Sequence, residues 1–206
     1  MILATDSFDR ADAATLGVNW PLLKGESQHL GIFSNQVDTS AAGDCGNAYD
    51  GGISWPGDQW AEAPIATIGT GETLIWVRGE AFSGSTKNGY QGGTDDGNLG
   101  HNNTEIIKRV ADTWSELGSS GVNDITAGSV VRVEAEGNAV RVLVDGVQKV
   151  AVTDASFSGG NPGLSAIHAV NVGLFTSFTA GDFTPEEAVP YYRQNRSTVP
   201  PNVRMT

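Results

Sequence analysis

Between Ser129 and Asp154 polar and apolar residues change places at almost every step, and the alternation predicts three consecutive antiparallel strands. Val131, Val133 and Ala135 alternate with Arg132, Glu134 and Glu136. This period of two puts one set against a core and the other in water. Gly137-Asn138 suits a two-residue turn, which sets Glu134 opposite Arg141 and Val133 opposite Val142. Asp145-Gly146 predicts a second turn leading into a third strand through Val150 and Val152. A strict two-residue loop there would carry Lys149 onto the valine face, so a bulge or a longer turn is expected.

Shorter signals of the same kind run through the rest of the chain. DSFDRADAATLGVNW places Phe8 in a short strand, with Leu16 and Trp20 closing over it. GIFSNQVDTS and NAYDGG predict two further short strands on either side of a Gly/Asp-rich turn around residues 43–46. In QWAEAPIATI, Pro64 lacks a backbone donor, which predicts an edge position or a bulge. The apolar run Leu74, Ile75, Trp76 and Val77, inside TLIWVRGEA, predicts a central strand. NGYQGG, TEIIKRV and WSELGSSG read as a meander around the polar loop TDDGNLGHNN, and NPGLSAI and AVNVGLFTSFTAGDF complete the sheet. Roughly a dozen short strands at ~8–12-residue spacing predict an all-β sandwich.

Composition narrows this picture. No linker-like stretch interrupts the middle of the 206 residues, so a single sandwich domain is expected. A net charge of −12 argues against nucleic acid or an anionic membrane as partner, because phosphate contacts need clustered Lys and Arg. No stretch of ~20 apolar residues predicts a membrane span, and MILATDSFDR does not read as a signal peptide. Cys45 is the only cysteine, which leaves no internal disulfide. It reads as a small buried hydrophobe, the alternative being a thiol that links two subunits. Residues 184–206 differ in kind. They hold four of the eight prolines, Tyr191-Tyr192, and three arginines (Arg193, Arg196, Arg204) against two glutamates. Such a segment cannot bury a core of its own. It is expected to form an arm, packed along its own domain or docked on a neighbouring subunit.

DSFDRADAATLGVNW, with Phe8, Arg10, Asp12, Leu16, Gly17 and Trp20, looks like the opening motif of many concanavalin A-like modules. GDQWAEAPIATIG, EIIKRVADTWSELGSSG and VVRVEAEGNAVRVLVDGVQKVAVTDASFSGGNPGLS look like their interior strands. From about Thr5 to Phe183 the chain therefore resembles the concanavalin A-like lectin/glucanase superfamily. The resemblance implies a jelly roll of two stacked antiparallel sheets over residues 5–183, with residues 184–206 as a C-terminal arm. Modules of this appearance occur in secreted bacterial glycan-active proteins and in bacteriophage tail or surface proteins. Many bind sugars and others only build structure, so the fold does not assign an activity.

The candidate chemistry is sparse. Glycoside hydrolysis needs two facing carboxylates, ~5–5.5 Å apart for retention or ~6.5–9.5 Å for inversion. The glucanases of the superfamily carry Glu, Asp and Glu alternating on one concave-face strand, and this chain has no such run. Glu134 and Glu136 read instead as a solvated strand face partnered by Arg132 and Arg141, and no enzyme is expected. His29, His101 and His168 lie in unrelated contexts, no Gly-x-Ser-x-Gly elbow occurs, and one Cys with isolated His residues cannot make a common zinc site. Asp95, Asp96 and Asn98 offer oxygen ligands suited to calcium, although a hairpin loop selects the same residues. No cofactor is expected, with calcium there as the alternative. Sugar recognition calls for an exposed ring beside side chains that bond hydroxyls. Trp55 in ISWPGDQW, with Asp58 and Gln59, fits best, and Tyr90 is a second candidate platform. Trp20, Trp60 and Trp76 read as core. Together these features predict a non-catalytic structural or adhesive protein of a bacteriophage particle, on the virion surface or extracellular, partnered by other subunits and by cell-surface glycans. The alternative is a carbohydrate-binding module of a bacterial extracellular protein, with a glycoside hydrolase or lyase behind both.

Overall fold

The computed structural model describes residues 1–23, 26, 28–39, 44–68, 71–80, 87–96, 102–167 and 174–184, without the side chains of 95, 96 and 102. In chain order the strands are β1 (Ile2–Asp6), β2 (Leu30–Phe33), β3 (Gln36–Thr39), β4 (Cys45–Ala48), β5 (Gln59–Pro64), β6 (Glu72–Gly79) and β7 (Gly89–Asp96). They continue as β8 (Asn102–Val110), β9 (Thr113–Ser119), β10 (Val130–Glu136), β11 (Ala139–Val144), β12 (Val147–Thr153), β13 (Asn161–Ile167) and β14 (Phe178–Asp182). One six-stranded antiparallel sheet runs β1-β14-β5-β10-β11-β12, a second runs β4-β13-β6-β7-β8-β9, and β2 and β3 form a separate hairpin.

The triplet of strands has the register expected from its turns. Glu134 pairs with Arg141 and Val133 with Val142. After Asp145-Gly146, both at positive φ, the register shifts between Val142 and Leu143, so that Val142 faces Val150 and Leu143 faces Gln148. Lys149 is the extra residue, and the bulge turns its Nζ to Asp124, 3.0 Å away. The valines of β10 and β11 then meet Ile75, Val77, Tyr90, Ile106 and Leu164 of the second sheet in one core. The valines pack directly over Gly92, where a Cβ would lie 2.5 Å from Val142 and 2.8 Å from Val133. Cys45 is buried in that core, which excludes it as a link between subunits.

Four local expectations change. Phe8 is fully buried but outside a strand, since β1 ends at Asp6 and Phe8 takes a φ of 52°. The cause is Asp6, whose carboxylate accepts bonds from Phe8 N at 2.9 Å, Arg10 Nη1 at 2.6 Å and Trp20 Nε1 at 2.8 Å. Burial opposes the charge on Asp6, but these donors outweigh it and hold the carboxyl below its usual range. GIFSNQVDTS is not one strand but the β2–β3 hairpin, turned by Ser34 and Asn35 at positive φ. Pro64 sits neither at an edge nor at a bulge. It ends an interior strand, where its carbonyl still accepts a bond from Thr176 N at 3.2 Å. Asp95 and Asp96 belong to β7, at register positions opposite Asn103 and Asn102, so the polar loop is shorter than the sequence suggested. Asn98, His101, His168 and the arm residues Tyr191, Tyr192, Arg193, Arg196 and Arg204 lie outside the described residues.

Candidate functional site

One end of the sandwich is organised by Arg78, which is 2% exposed and takes a φ of 53° near the end of β6. Its guanidinium donates from Nε to Gly57 O at 2.7 Å, from Nη1 to Phe157 O at 2.8 Å and from Nη2 to Gly137 O at 2.8 Å. Asp58 Oδ1 lies 3.3 Å from Nη2 and also accepts the Gly137 N–H at 2.7 Å. Three loops meet here: the one entering β5, the β10–β11 turn and the one between β12 and β13. Gln59 completes the tie. It is fully buried, donates from Nε2 to Pro56 O at 2.7 Å and Gly160 O at 2.9 Å, and accepts the Arg78 N–H at 3.2 Å. A Cβ at Gly57 would run into the Ser158 carbonyl, which is why the loops can lie backbone to backbone.

Trp55 rides on this pinned loop. It is half-buried, edge-on to Tyr49 with ring centres 6.2 Å apart, and Tyr49 in turn stacks on the core ring of Phe178. Asp58 next to it keeps 57% of its side chain in solvent. A cleft of about 340 Å³ opens beside Asp58, lined by Pro56, Asp58, Asp182, Phe183 and Thr184. Bonds from the chain's amino group and from Thr184 hold the Asp182 carboxyl below its usual range.

Of the residues expected around a sugar, Trp55 and Asp58 lie on one loop, tied by Arg78. Gln59 does not join them, because both ends of its amide are engaged inside the protein. Tyr90 does not either. It points into the core, donates to Asp154 Oδ1 at 2.7 Å and accepts the Phe157 N–H at 3.2 Å. Burial pushes its phenol up to about 12, with the Asp154 bond adding to the shift. The signal was present in YQGGT, where period two puts Tyr90 on the same face as Gly92, which packs under Val133 and Val142. Among the described residues no group of three or more His, Cys, Asp and Glu is arranged to hold a metal ion.

The pair Glu134 and Glu136 lies in an ion-pair ladder on the outer face of the first sheet. Arg132 Nε is 2.9 Å from Glu134, and Arg141 Nη1 is 3.4 Å from Glu134 and 3.0 Å from Glu136. Arg132 also stacks 3.9 Å over the ring of Trp60. Trp60 is buried as expected, but under this ladder rather than between the sheets, since Ala61 and Ala63 take the inner positions of β5.

The outer face of the second sheet was missed by sequence reading. Ser165 Oγ accepts from Trp76 Nε1 at 2.8 Å and from Gln91 Nε2 at 3.1 Å, and Gln91 Oε1 accepts from Arg109 Nε at 2.9 Å. This chain of bonds crosses four strands. Nearby Lys87 Nζ bridges Glu26 at 3.0 Å and Asp44 at 3.2 Å. Desolvation nevertheless holds the Glu26 carboxyl above its usual range. At the sheet edge Trp114, opposite Arg109, is 47% exposed. The cue was the alternation in NTEIIKR, which puts Glu105, Ile107 and Arg109 on one face.

No protein-family model and no curated protein matches the sequence. Solved structures do match. The carbohydrate-binding module CBM66 from Bacillus subtilis aligns at 19% identity and a TM-score of 0.58, covering 82% of this chain and 95% of that one. The Ca2+/Man-bound VIP36 exoplasmic/lumenal domain aligns at 10% identity and 0.58, covering 84% and 86%. The legume lectin-like domain from Entamoeba histolytica aligns at 14% identity and 0.53, covering 81% and 91%. Two six-stranded antiparallel sheets, superposing on these domains over more than four fifths of the chain, give it a concanavalin A-like jelly-roll fold.

Proposed function

We propose that the chain is a non-catalytic, extracellular carbohydrate-binding module that takes a sugar residue at the loop end around Trp55 and Asp58. The observation that carries this is the half-buried Trp55 ring on a loop fixed by Arg78, the same loop whose Pro56 and Asp58 line a cleft with Phe183. An aromatic ring covers the C–H face of a pyranose, and a carboxylate accepts bonds from neighbouring hydroxyls. A loop already held in place loses little freedom when the sugar arrives. The names of the matched structures support the reading: one is a carbohydrate-binding module and another is a Man-bound lumenal domain. They favour it over a bacteriophage structural subunit with residues 184–206 as an assembly arm. The ion pairs around Glu134 and Glu136 support the non-catalytic part, since Arg132 and Arg141 engage these carboxylates on the outer sheet face.

The test is a glycan array followed by titration calorimetry, run with calcium and with chelator. The chelator arm tests calcium at Asp95, Asp96 and Asn98, the residues for which an ion would be proposed. Trp55→Ala and Asp58→Ala should each weaken binding about tenfold or more, equivalent to ~1.4 kcal/mol, while the circular dichroism spectrum stays β-type. Binding that neither substitution changes would remove the site. Release of reducing ends from a glycan, abolished by Glu134→Gln, would overturn the non-catalytic reading.

A further inference from the structure

A second cleft of about 340 Å³ lies between residues 12–14 and the β2–β3 hairpin, and it shares no lining residue with the cleft beside Asp58. Period two explains its chemistry. Ile32 and Val37 turn one face of the hairpin into the core, so Gly31, Phe33 and Asp38 share the opposite face. The neighbouring backbone is fixed, because Ala13 and Ile32 exchange both backbone bonds, at 3.0 and 2.7 Å. Gly31 is required there, since a Cβ would lie 2.7 Å from the Ala13 carbonyl oxygen. With Ala13, Ala14 and Gly31 the lining carries nothing larger than a methyl along this stretch. Phe33 is 60% exposed at the margin. Asp12 ties the turn by accepting the Ser34 N–H at 2.8 Å, and Asp38 accepts the Thr39 N–H at 2.6 Å. Each bond uses Oδ1, leaving the second oxygen of both carboxylates, and neither Asp12 nor Asp38 is in an ion pair among the described residues.

We infer that this cleft is a second sugar-binding site, selective for uncharged sugar residues; the inference rests on the glycan-binding reading above. The volume falls in the ~300–1,000 Å³ range of small-molecule sites. Phe33 offers a ring for the C–H face of a sugar, and Asp12 and Asp38 offer acceptors for its hydroxyls. Two carboxylates with no ion-pair partner among the described residues repel a uronate or a sulfated sugar. Two separate sites on one rigid module would let a polysaccharide engage both at once, with the second contact made at high effective concentration.

Saturation-transfer NMR tests this with the methyl glycosides of mannose, glucose and galactose, and with glucuronate as the charged control. Phe33 is exposed, so Phe33→Ala should keep the native circular dichroism spectrum. Asp38→Asn is a second variant that changes charge but not shape. The wild-type protein should saturate at least one uncharged glycoside and not glucuronate. Trp55→Ala alone should retain transfer, Trp55→Ala with Phe33→Ala should lose it, and Asp38→Asn in the Trp55→Ala background should weaken it. Transfer already lost in Trp55→Ala alone, or surviving in the double variant, overturns the second site; the first of these outcomes leaves the Trp55 site standing. Transfer lost in Phe33→Ala alone supports this cleft and removes the Trp55 site. Glucuronate binding as well as the uncharged glycosides overturns the charge selectivity, and no transfer to the wild-type protein overturns both sites.

Discussion

Arg78→Met keeps an unbranched chain of similar reach while deleting the guanidinium donors that join the three loops. Three carbonyls, those of Gly57, Phe157 and Gly137, lose a charged donor, and Asp58 loses its ion pair. A buried acceptor left unpaired costs ~1–3 kcal/mol. Because Arg78 itself no longer has to be desolvated, and because water can reach loops near the surface, the low end applies, about 1 kcal/mol per carbonyl. The expected loss is therefore about 3 kcal/mol, or a fall in Tm of about 6–12 °C for a chain of this size. Urea denaturation followed by circular dichroism measures it. Hydrogen exchange should locate it, with the amides of residues 55, 57, 58, 137 and 157–160 accelerating together. Arg78→Lys should fall between the two, since an ammonium has no fork to span three loops. A loss below about 1 kcal/mol, or acceleration confined to one loop, would refute the argument that a single guanidinium joins all three.

Tyr90→Phe removes the bonds to Asp154 and from Phe157 N without opening a cavity, so it should cost about 1–2 kcal/mol in the same denaturation assay. Burial opposes the charge on Asp154, but bonds from Lys108, Ser156 and Tyr90 outweigh it and hold the carboxyl below its unperturbed value of 3.8. A lowered folded pKa gives stability that is present above 3.8 and is lost as pH falls toward the folded value. Asp154→Asn should therefore lower stability at pH 7 and shrink the difference between pH 7 and pH 3, whereas an unchanged difference would exclude Asp154 as the source. Burial pushes the Cys45 thiol up from 9.0 to about 11, with the negative charges of Glu26 and Asp44 adding to it. Below 9.0 the thiol is neutral in both states, so stability should decline only as pH rises from there toward 11. At pH 8 a thiol reagent should modify the denatured protein promptly and the native protein only at the rate of its opening.

The parts of the chain that could be read from sequence are those whose structure is decided within a few residues. VVRVEAEGNAVRVLV carries its own alternation and its own turn, so the pairing of Glu134 with Arg141 follows from backbone geometry alone. The bulge at Lys149 follows from the same rule, because a charged side chain is excluded from a valine face. Alternation says which residues share a face, but not what that face meets. Trp60 and Trp76 occupy outer faces and Tyr90 an inner one, and only the stacking of the sheets decided which was which. Sheet order was equally hidden, since β1 pairs with β14 at the far end of the chain. The candidate site divides along the same line. Trp55 and Asp58 were visible as a turn-forming segment with a ring. The fixing of that segment required Arg78 to reach Gly57, Gly137 and Phe157, which lie in three separate loops. Hydrophobic period and turn chemistry act over the few residues that share one strand or hairpin. The meeting of distant loops is set by how the two sheets pack, and that depends on every side chain between them.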